Sequence, residues 1–365
     1  MMTLFVEPDA VAGFARQVDR AAEDAWAIRG YYDRHAEAGT GGEAFSIAKT
    51  GHDHAVVVIN GVLNRLACLL EASAPELRTA ASYYRTTDLS AADRLDRTLP
   101  AALERCITPL ELELITNPCD PANFVDPRDV TGSLDPPGES GTPSNALGWM
   151  DYLSPSAWLN GVFDHVFGFD PVGEIQTRIF GDWESLAAMA PVATNMGRAL
   201  HDLAYNVQSG TSTLHPQWRG VAGDAAFHYF TTTANAIADL HGPLGRISDA
   251  YRGMADAVWS AGEALGGVVK SILDAAIIAG IAAAAGTATS ATGIGAAVGY
   301  GLAAAEVANL LRLWGEATKL CQQLTAAVLA FRAALARDLS DLDSVTLPAL
   351  PDGGRYDHPL VGATA

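Results

Sequence analysis

Long stretches in which apolar residues recur every three or four positions dominate this sequence. Near its start, Val11, Phe14, Val18 and Ile28 follow that spacing. Since an α-helix makes one turn in 3.6 residues, the spacing puts these side chains on one helical face. We therefore predict an amphipathic helix over about residues 8–34, and the same pattern elsewhere predicts an all-α fold.

A second helical tract follows a glycine-rich break, from about residue 44 to residue 85. Pro75 lacks a backbone N–H, so we predict a new helix there after a kink near Ser73. Because two long amphipathic helices joined by a short break pack antiparallel, residues 1–115 are predicted to form a helical hairpin domain.

The composition changes over residues 116–148, where proline, glycine, aspartate and serine dominate. These residues favour turns and extended chain, so the segment is predicted to be a mobile linker. Helical periodicity returns after it, with a short aromatic helix around residues 158–167. Residues 149–342 are predicted to form a second helical domain.

The second domain contains another pair of long helical patterns, over residues 183–207 and about 224–265. The break between them reads SGTSTLHPQWRGVAG, and Gly242-Pro243 predicts a kink in the second helix. The chain is therefore predicted to hold two long antiparallel hairpins resembling a four-helix bundle.

Small apolar residues fill the stretch after Gly266, in the runs Ala275–Gly286 and Gly293–Ala305. Each run is shorter than the roughly 20 residues that span a bilayer, and small residues let helices approach closely. We expect a close-packed helical hairpin folded back on the second domain and buried. A C-terminal helix over about residues 306–342 and a disordered tail, 343–365, are predicted to follow.

The formal net charge is -19, and the lysines are only Lys49, Lys270 and Lys319. Binding to nucleic acid requires a basic surface, so we expect no nucleic-acid partner. The N-terminal sequence has neither the cationic start nor the continuous apolar core of a Sec signal peptide. We expect a protein that stays in the cytoplasm or leaves by a route that recognises folded helices.

The four cysteines fall into two groups. Cys68 and Cys321 lie within apolar helical patterns and are predicted to be core residues. Cys106 and Cys119 flank a loop-like stretch, and whether they form a disulfide stays open because spacing does not define the geometry.

Two short motifs fall at the ends of the predicted hairpins. Trp218 and Gly220 form a WxG sequence in the break of the second hairpin, where glycine permits a tight turn. We expect the tryptophan to cover the hairpin end and to be partly buried. Tyr84 and Asp88 form a YxxxD sequence after the first hairpin, where spacing i,i+4 would put both on one helical face. The alternatives are an ordinary turn and a surface tyrosine beside a helix-ending aspartate.

Together these motifs resemble the substrates of type VII (ESX-like) secretion, the WxG helical hairpins and PE/PPE pairs. The first hundred residues resemble small ESX-associated secreted proteins through VEPDAV and ASYYRTTD. Residues from about 154 to 335 resemble the N-terminal helical domain of actinobacterial channel–toxin proteins, through GDWESLA and PQWRGVAGDAAFHYF. The resemblance implies that Tyr84, Asp88, Trp218 and Gly220 form a composite secretion signal.

Enzyme motifs are weak throughout the chain. The glycines at 293–299 lack the strand and βαβ context of a dinucleotide loop, and no HExxH or nucleophile elbow occurs. His52-Asp53-His54 offers metal ligands, but a helical surface explains it better. We expect no toxin domain after the last helix, so the resemblance is not taken to imply toxic activity. We expect no catalysis, no cofactor and no metal.

Three hypotheses remain open at this stage. The first is a substrate or accessory of a type VII system, secreted or displayed on the cell surface. Its partners would be the secretion ATPase or a chaperone, and after export itself or another helical hairpin. The second is a membrane-active or pore-forming protein, or a toxin-delivery module, that uses the small-residue hairpin after assembly. The third is a cytosolic helical scaffold.

Overall fold

The computed structural model describes residues 4–100, 107–116, 124–137, 157–288 and 294–348, without the side chains of 157–161, 294–298 and 300. The described chain is all-α apart from one two-stranded sheet. Cys106, Cys119, the tail from residue 349 and parts of the predicted linker lie outside the described residues.

The first hairpin consists of α1 (Pro8–His35) and α2 (Glu43–Thr86). A short strand β1 (Phe5–Val6) precedes it. The prediction of a new helix at Pro75 is wrong, because α2 runs through this residue for 44 residues. Just before Pro75, the Ser73 hydroxyl donates to the Leu69 carbonyl one turn back at 2.7 Å. Cys68 is exposed on α2, whereas Cys321 is buried as predicted.

Two short helices follow, α3 (Leu89–Asp96) and α4 (Pro109–Thr116). The described part of the predicted linker, residues 124–137, is not mobile but packs against α1 and against the later helix Met189–Leu214. Phe124 contacts Phe14, with ring centroids 6.2 Å apart. Asn206 holds the backbone of Arg128 at both its N–H and its carbonyl, at 3.0 and 2.9 Å.

The second hairpin is preceded by α5 (Ala157–Phe167), α6 (Pro171–Ile179) and α7 (Trp183–Ala187). Its two helices are α8 (Met189–Leu214) and α9 (Val221–Asp239). They are joined by a 3-10 turn and the strand β2 (Trp218–Arg219). The predicted break was placed too early, because α8 continues to Leu214 before the chain turns.

The last two helices are the longest, α10 (His241–Ala288) with 48 residues and α11 (Ile294–Ser344) with 51. The chain breaks at Leu240 rather than kinking within one helix. The small-residue hairpin and the predicted C-terminal helix are therefore parts of the same two helices. We refer to α10 and α11 together as the arm, and to residues 275–288 and 294–305 as the arm tip.

The four helices of the two hairpins share a core. Helix α1 packs on α2 and on α8, and Phe14 meets Phe230 of α9 with ring centroids 4.9 Å apart. The arm base lies along the other side, with α10 on α8 and α11 on α2. Arg246 of α10 bonds the buried Asp338 of α11 at 3.1 Å. Side chains from both predicted domains thus enter one apolar core.

The arm tip departs from the expected buried hairpin. Its small residues do face each other: a Cβ on Gly299 would lie 2.6 Å from the Cα of Gly286. The outer faces, however, are open to solvent, and Ile281 is 61% exposed. The stretch therefore packs on itself and does not fold back on the second domain.

Candidate functional site

The WxG turn is built by the pairing of two distant strands. Strand β2 pairs antiparallel with β1, with Val6 opposite Trp218 and Phe5 opposite Arg219. The N–H of Glu7 continues this pairing by donating to the Gln217 carbonyl at 2.9 Å. The start of the chain is therefore part of the turn that joins α8 and α9.

Gly220 adopts φ 134° and ψ 177°, a backbone conformation that only glycine adopts readily. A Cβ at this position would also lie 2.7 Å from Asp96 Oδ2 and 2.9 Å from Leu4 Cδ1. Backbone conformation and close approach each require glycine at 220. The sequence-based role of this residue as a turn glycine agrees with its geometry.

The aromatic residues of the two motifs are in contact. The rings of Tyr84 and Trp218 meet edge to face, with centroids 5.8 Å apart. Tyr84 is 7% exposed and Trp218 is 1% exposed, so the expectation of a partly buried tip tryptophan is wrong. Burial raises the pKa of the Tyr84 phenol, and a hydrogen bond from the Trp218 side chain acts in the opposite direction.

Asp88 does not share a face with Tyr84. Helix α2 ends at Thr86, and Asp88 is the exposed N-cap of α3, where its carboxylate accepts the N–H of Ala91 at 3.1 Å. Hydrogen bonds from the Ser90 hydroxyl and then from the Ala91 N–H lower the pKa of this carboxyl. The predicted pairing on one helical face fails because the chain turns between the two residues.

Asp96, at the end of α3, is the residue that sequence reasoning missed. Its carboxylate accepts the backbone N–H groups of Val221 and Ala222 at 2.8 and 2.9 Å. It is 3% exposed. The first turn of α9 is thus capped by a carboxylate from the other hairpin region, where the positive helix end favours an anion. No sequence signal reveals this cap, since more than a hundred residues separate it from its donors.

The strand β1 connects the site to α3 as well. The N–H of Leu4 donates to Asp93 Oδ1 at 3.1 Å, and the Arg219 guanidinium lies 4.8 Å from the Phe5 ring centroid. Three separate segments therefore meet at one end of the molecule: the chain start, α3 with the end of α2, and the WxG turn. We call this meeting point the motif junction.

The motif junction is packed solid. The cavity beside Trp218, lined also by Phe14, Phe227 and Phe230, has a volume of about 10 Å³. That is at most the space of one water molecule. A small-molecule ligand has no room in this cavity. The geometry suits a partner that contacts the outer surface of the motif junction.

Of the two histidines weighed as metal ligands, His54 lies on the helical surface as expected, but His52 does not. His52 is buried, with both ring nitrogens engaged at 2.8 Å by Tyr251 Oη and the Ala36 carbonyl. Across the described residues, no group of three or more His, Cys, Asp or Glu side chains is arranged to hold a metal ion.

Comparison of the chain with protein-family models, curated proteins and solved structures gives no match. The geometry of the motif junction and the arm is therefore the basis for assigning a function.

Proposed function

We propose that this protein is a non-enzymatic substrate or accessory of a type VII (ESX-like) secretion system that acts through helix–helix pairing. The observation that carries the proposal is the contact between Tyr84 of the YxxxD motif and Trp218 of the WxG motif. The two motifs lie far apart in sequence. Their meeting at one end of a helical bundle supports a composite recognition surface.

Within that surface, the residues divide into a buried and an exposed group. Tyr84, Trp218 and Gly220 are packed or conformationally fixed and hold the junction together. Asp88 is exposed, and its side-chain contacts are with the first turn of its own helix. Asp88 is therefore the member of the set that a secretion ATPase or chaperone would contact directly.

The test is export of Asp88→Asn into the culture supernatant of a host with a type VII system. Asparagine keeps an N-cap acceptor and removes the charge, so the fold should remain intact. We expect normal cellular levels and loss of the protein from the supernatant. The matched control is Asp170→Asn, because the exposed Asp170 caps the start of α6 in the same way, accepting from the Val172 N–H at 2.9 Å.

If Asp88→Asn is exported at the level of the wild-type protein, and Asp170→Asn is exported too, Asp88 has no direct role in recognition. Absence of the wild-type protein itself from the supernatant would favour the cytosolic scaffold. Tyr84→Phe provides the second test, because it keeps the buried ring and removes only the hydroxyl. A Tyr84→Ala variant would be less informative. Its side chain is buried, so a loss of export could result from unfolding and not from loss of the recognition signal.

The exposed arm tip favours a second candidate, a membrane-active protein. Residues 275–305 contain no Asp, Glu, Lys or Arg. The outer faces of the tip present large aliphatic side chains, those of Ile277, Ile278, Ile281 and Leu302. The helical stretch Val221–Ala288 includes a window apolar enough to cross a membrane, of which 33% is buried.

Flotation with neutral liposomes tests this candidate. The chain has a net charge of -19, so anionic lipid would repel it and would be a poor probe. A variant with Ile278→Glu and Ile281→Glu places charges on the exposed face without entering the interface of the two helices. Flotation of the wild type, and its loss in this variant, would put the membrane candidate first.

A further inference from the structure

We propose that His52 forms an acid-sensitive joint between the first hairpin and the base of the arm. His52 lies on α2, and its hydrogen-bond partner Tyr251 lies on α10. Its other partner is the carbonyl of Ala36, just after α1 ends. One imidazole thus joins both helices of the first hairpin to the arm.

The partners define which nitrogen carries the proton at neutral pH. A carbonyl oxygen only accepts, so Nε2–H donates to Ala36 at 2.8 Å. Nδ1 is then the acceptor of the Tyr251 hydroxyl, also at 2.8 Å. The neutral ring satisfies both contacts. A second proton on Nδ1 would face the hydroxyl hydrogen and force it to rotate away.

Burial opposes the charged ring. His52 is 1% exposed, and Tyr251 is equally buried between His52 and Phe331 of α11, with the Tyr251 and Phe331 centroids 5.1 Å apart. Desolvation lowers the pKa of His52, against a smaller opposing effect of the Ala36 carbonyl.

The charged groups around His52 do not offset the cost of burying its protonated ring. Asp53 is exposed and pairs with Lys49 at 2.6 Å, and these two charges act on His52 in opposite directions. From the other elements, α1 contributes Tyr32, α10 contributes Tyr251, and α11 brings the stem of Arg332 against Gly51. Neither tyrosine carries a negative charge at neutral or acid pH, since burial raises the pKa of both.

The sign of the pH effect follows from linkage. A histidine whose pKa is lower in the folded than in the unfolded protein is protonated preferentially by the unfolded or undocked state. The docked state therefore loses stability as the pH falls through the ordinary histidine pKa of 6.5. Acidification weakens the attachment of the arm base to the first hairpin, while the motif junction at the other end keeps its contacts.

The first experiment is an NMR titration of the full-length protein labelled at its histidines. His54, exposed on the same helix two residues away, is the internal reference. The His54 signal is assigned with His54→Gln, and the His52 signal with His52→Gln or, where that variant does not fold, with Tyr251→Phe, which removes its hydroxyl partner. We expect the midpoint of His52 to lie below that of His54. Coincident midpoints would overturn the proposal, and this measurement decides the matter even where His52→Gln does not fold.

The second experiment compares melting temperatures at pH 7.5 and 5.0. Glutamine keeps a donor and an acceptor but does not titrate. We expect the acid-induced loss in Tm to be larger for the wild type and His54→Gln than for His52→Gln, by about 2 °C or more. Hydrogen exchange in α2 and the start of α10 should rise at pH 5.0 in the wild type. Equal acid-induced losses in all three proteins would overturn the proposal.

Discussion

Asp96 Oδ2 lies 2.7 Å from the point that a Cβ would occupy on Gly220. The carboxylate comes this close because it accepts the N–H of Val221, the next residue along the chain. The glycine and the aspartate therefore depend on each other. Because residue 220 has no side chain, the buried Asp96 carboxylate reaches the first turn of α9, and the residues of the motif junction pack around it.

Gly220→Ala is predicted to open the motif junction. The methyl group would meet both Asp96 and Leu4, and alanine is strained at φ 134°. We expect a loss of about 1–3 kcal/mol in the free energy of unfolding, measured by chemical denaturation. The matched control is Gly253→Ala in α10, where a Cβ would meet nothing within 4 Å. That change should stabilise the protein by roughly 0.5–1 kcal/mol. Similar effects at both positions would contradict the strained turn.

Asp96→Ala is predicted to cost more than loss of an ordinary helix cap. It leaves two backbone N–H groups, at Val221 and Ala222, without their acceptor in a buried place. The expected loss is about 2–4 kcal/mol in the free energy of unfolding, since each unsatisfied buried donor costs about 1–3 kcal/mol. Asp170→Ala, which removes an exposed cap within α6, should cost only about 1 kcal/mol. Equal losses would mean that the Asp96 contact is no stronger than a surface cap.

The all-α class and most helix starts were predictable, because apolar periodicity and cap or proline residues are local signals. The helix over residues 8–34 matches α1 (Pro8–His35), for example. The predicted kink at Pro75 failed because the bundle core holds α2 straight enough to continue. Packing on neighbouring helices outweighs the loss of one hydrogen bond within a helix of 44 residues.

The motif residues were identified from sequence, but their environments were not. Trp218 looked like a tip residue because nothing local indicates that β1 and Tyr84 of α2 cover it. No sequence pattern marks Asp96 as a helix cap, because the N–H groups that it accepts belong to Val221 and Ala222, beyond the intervening linker. His52 looked like part of a helical surface because its partner Tyr251 belongs to a helix 199 residues further on. Contacts between residues this far apart in sequence can be identified only from the folded structure.

Trp218→Ala is predicted to destabilise the protein as strongly as a core truncation. The indole is buried against Tyr84 and the first turn of α9, so its removal leaves a large cavity. We expect a loss of about 3–5 kcal/mol, comparable to Leu200→Ala in the core of α8. Thermal unfolding of the two variants side by side checks this. A Trp218→Ala loss well below that of Leu200→Ala would restore the idea of a partly exposed tip residue.

Asn206→Ala is predicted to release residues 124–137 from the helices. The Asn206 side chain makes both of its bonds with the backbone of Arg128, which no alanine replaces. We expect faster limited proteolysis within 124–137 and a stability loss of about 1–3 kcal/mol. Asn64→Ala, which removes an exposed bond to Arg29, serves as the control. Unchanged cleavage in Asn206→Ala would mean that Phe124 and Arg20 hold the segment without it.

Asp24 gives the protein a pH dependence opposite in sign to that of His52. Burial, followed by the charges of Asp126 and Asp129, raises the pKa of Asp24 from 3.8 to about 6. The folded state therefore binds a proton that the unfolded state has released over that range, so stability falls as the pH rises from about 4 to about 6. We predict that Asp24→Asn stabilises the protein at pH 7 by about 1–2 kcal/mol. This gain is smaller than 1.36 kcal/mol per unit of pKa shift would give, because the carboxyl is partly exposed and screened.

Denaturation curves at pH 4.5 and 7 test this prediction, with the exposed Asp249→Asn on α10 as the control. The gain should be present at pH 7 and nearly absent at pH 4.5, where Asp24 of the wild type is already protonated. A gain of the same size at both pH values would assign the effect to the amide's packing and not to the charge.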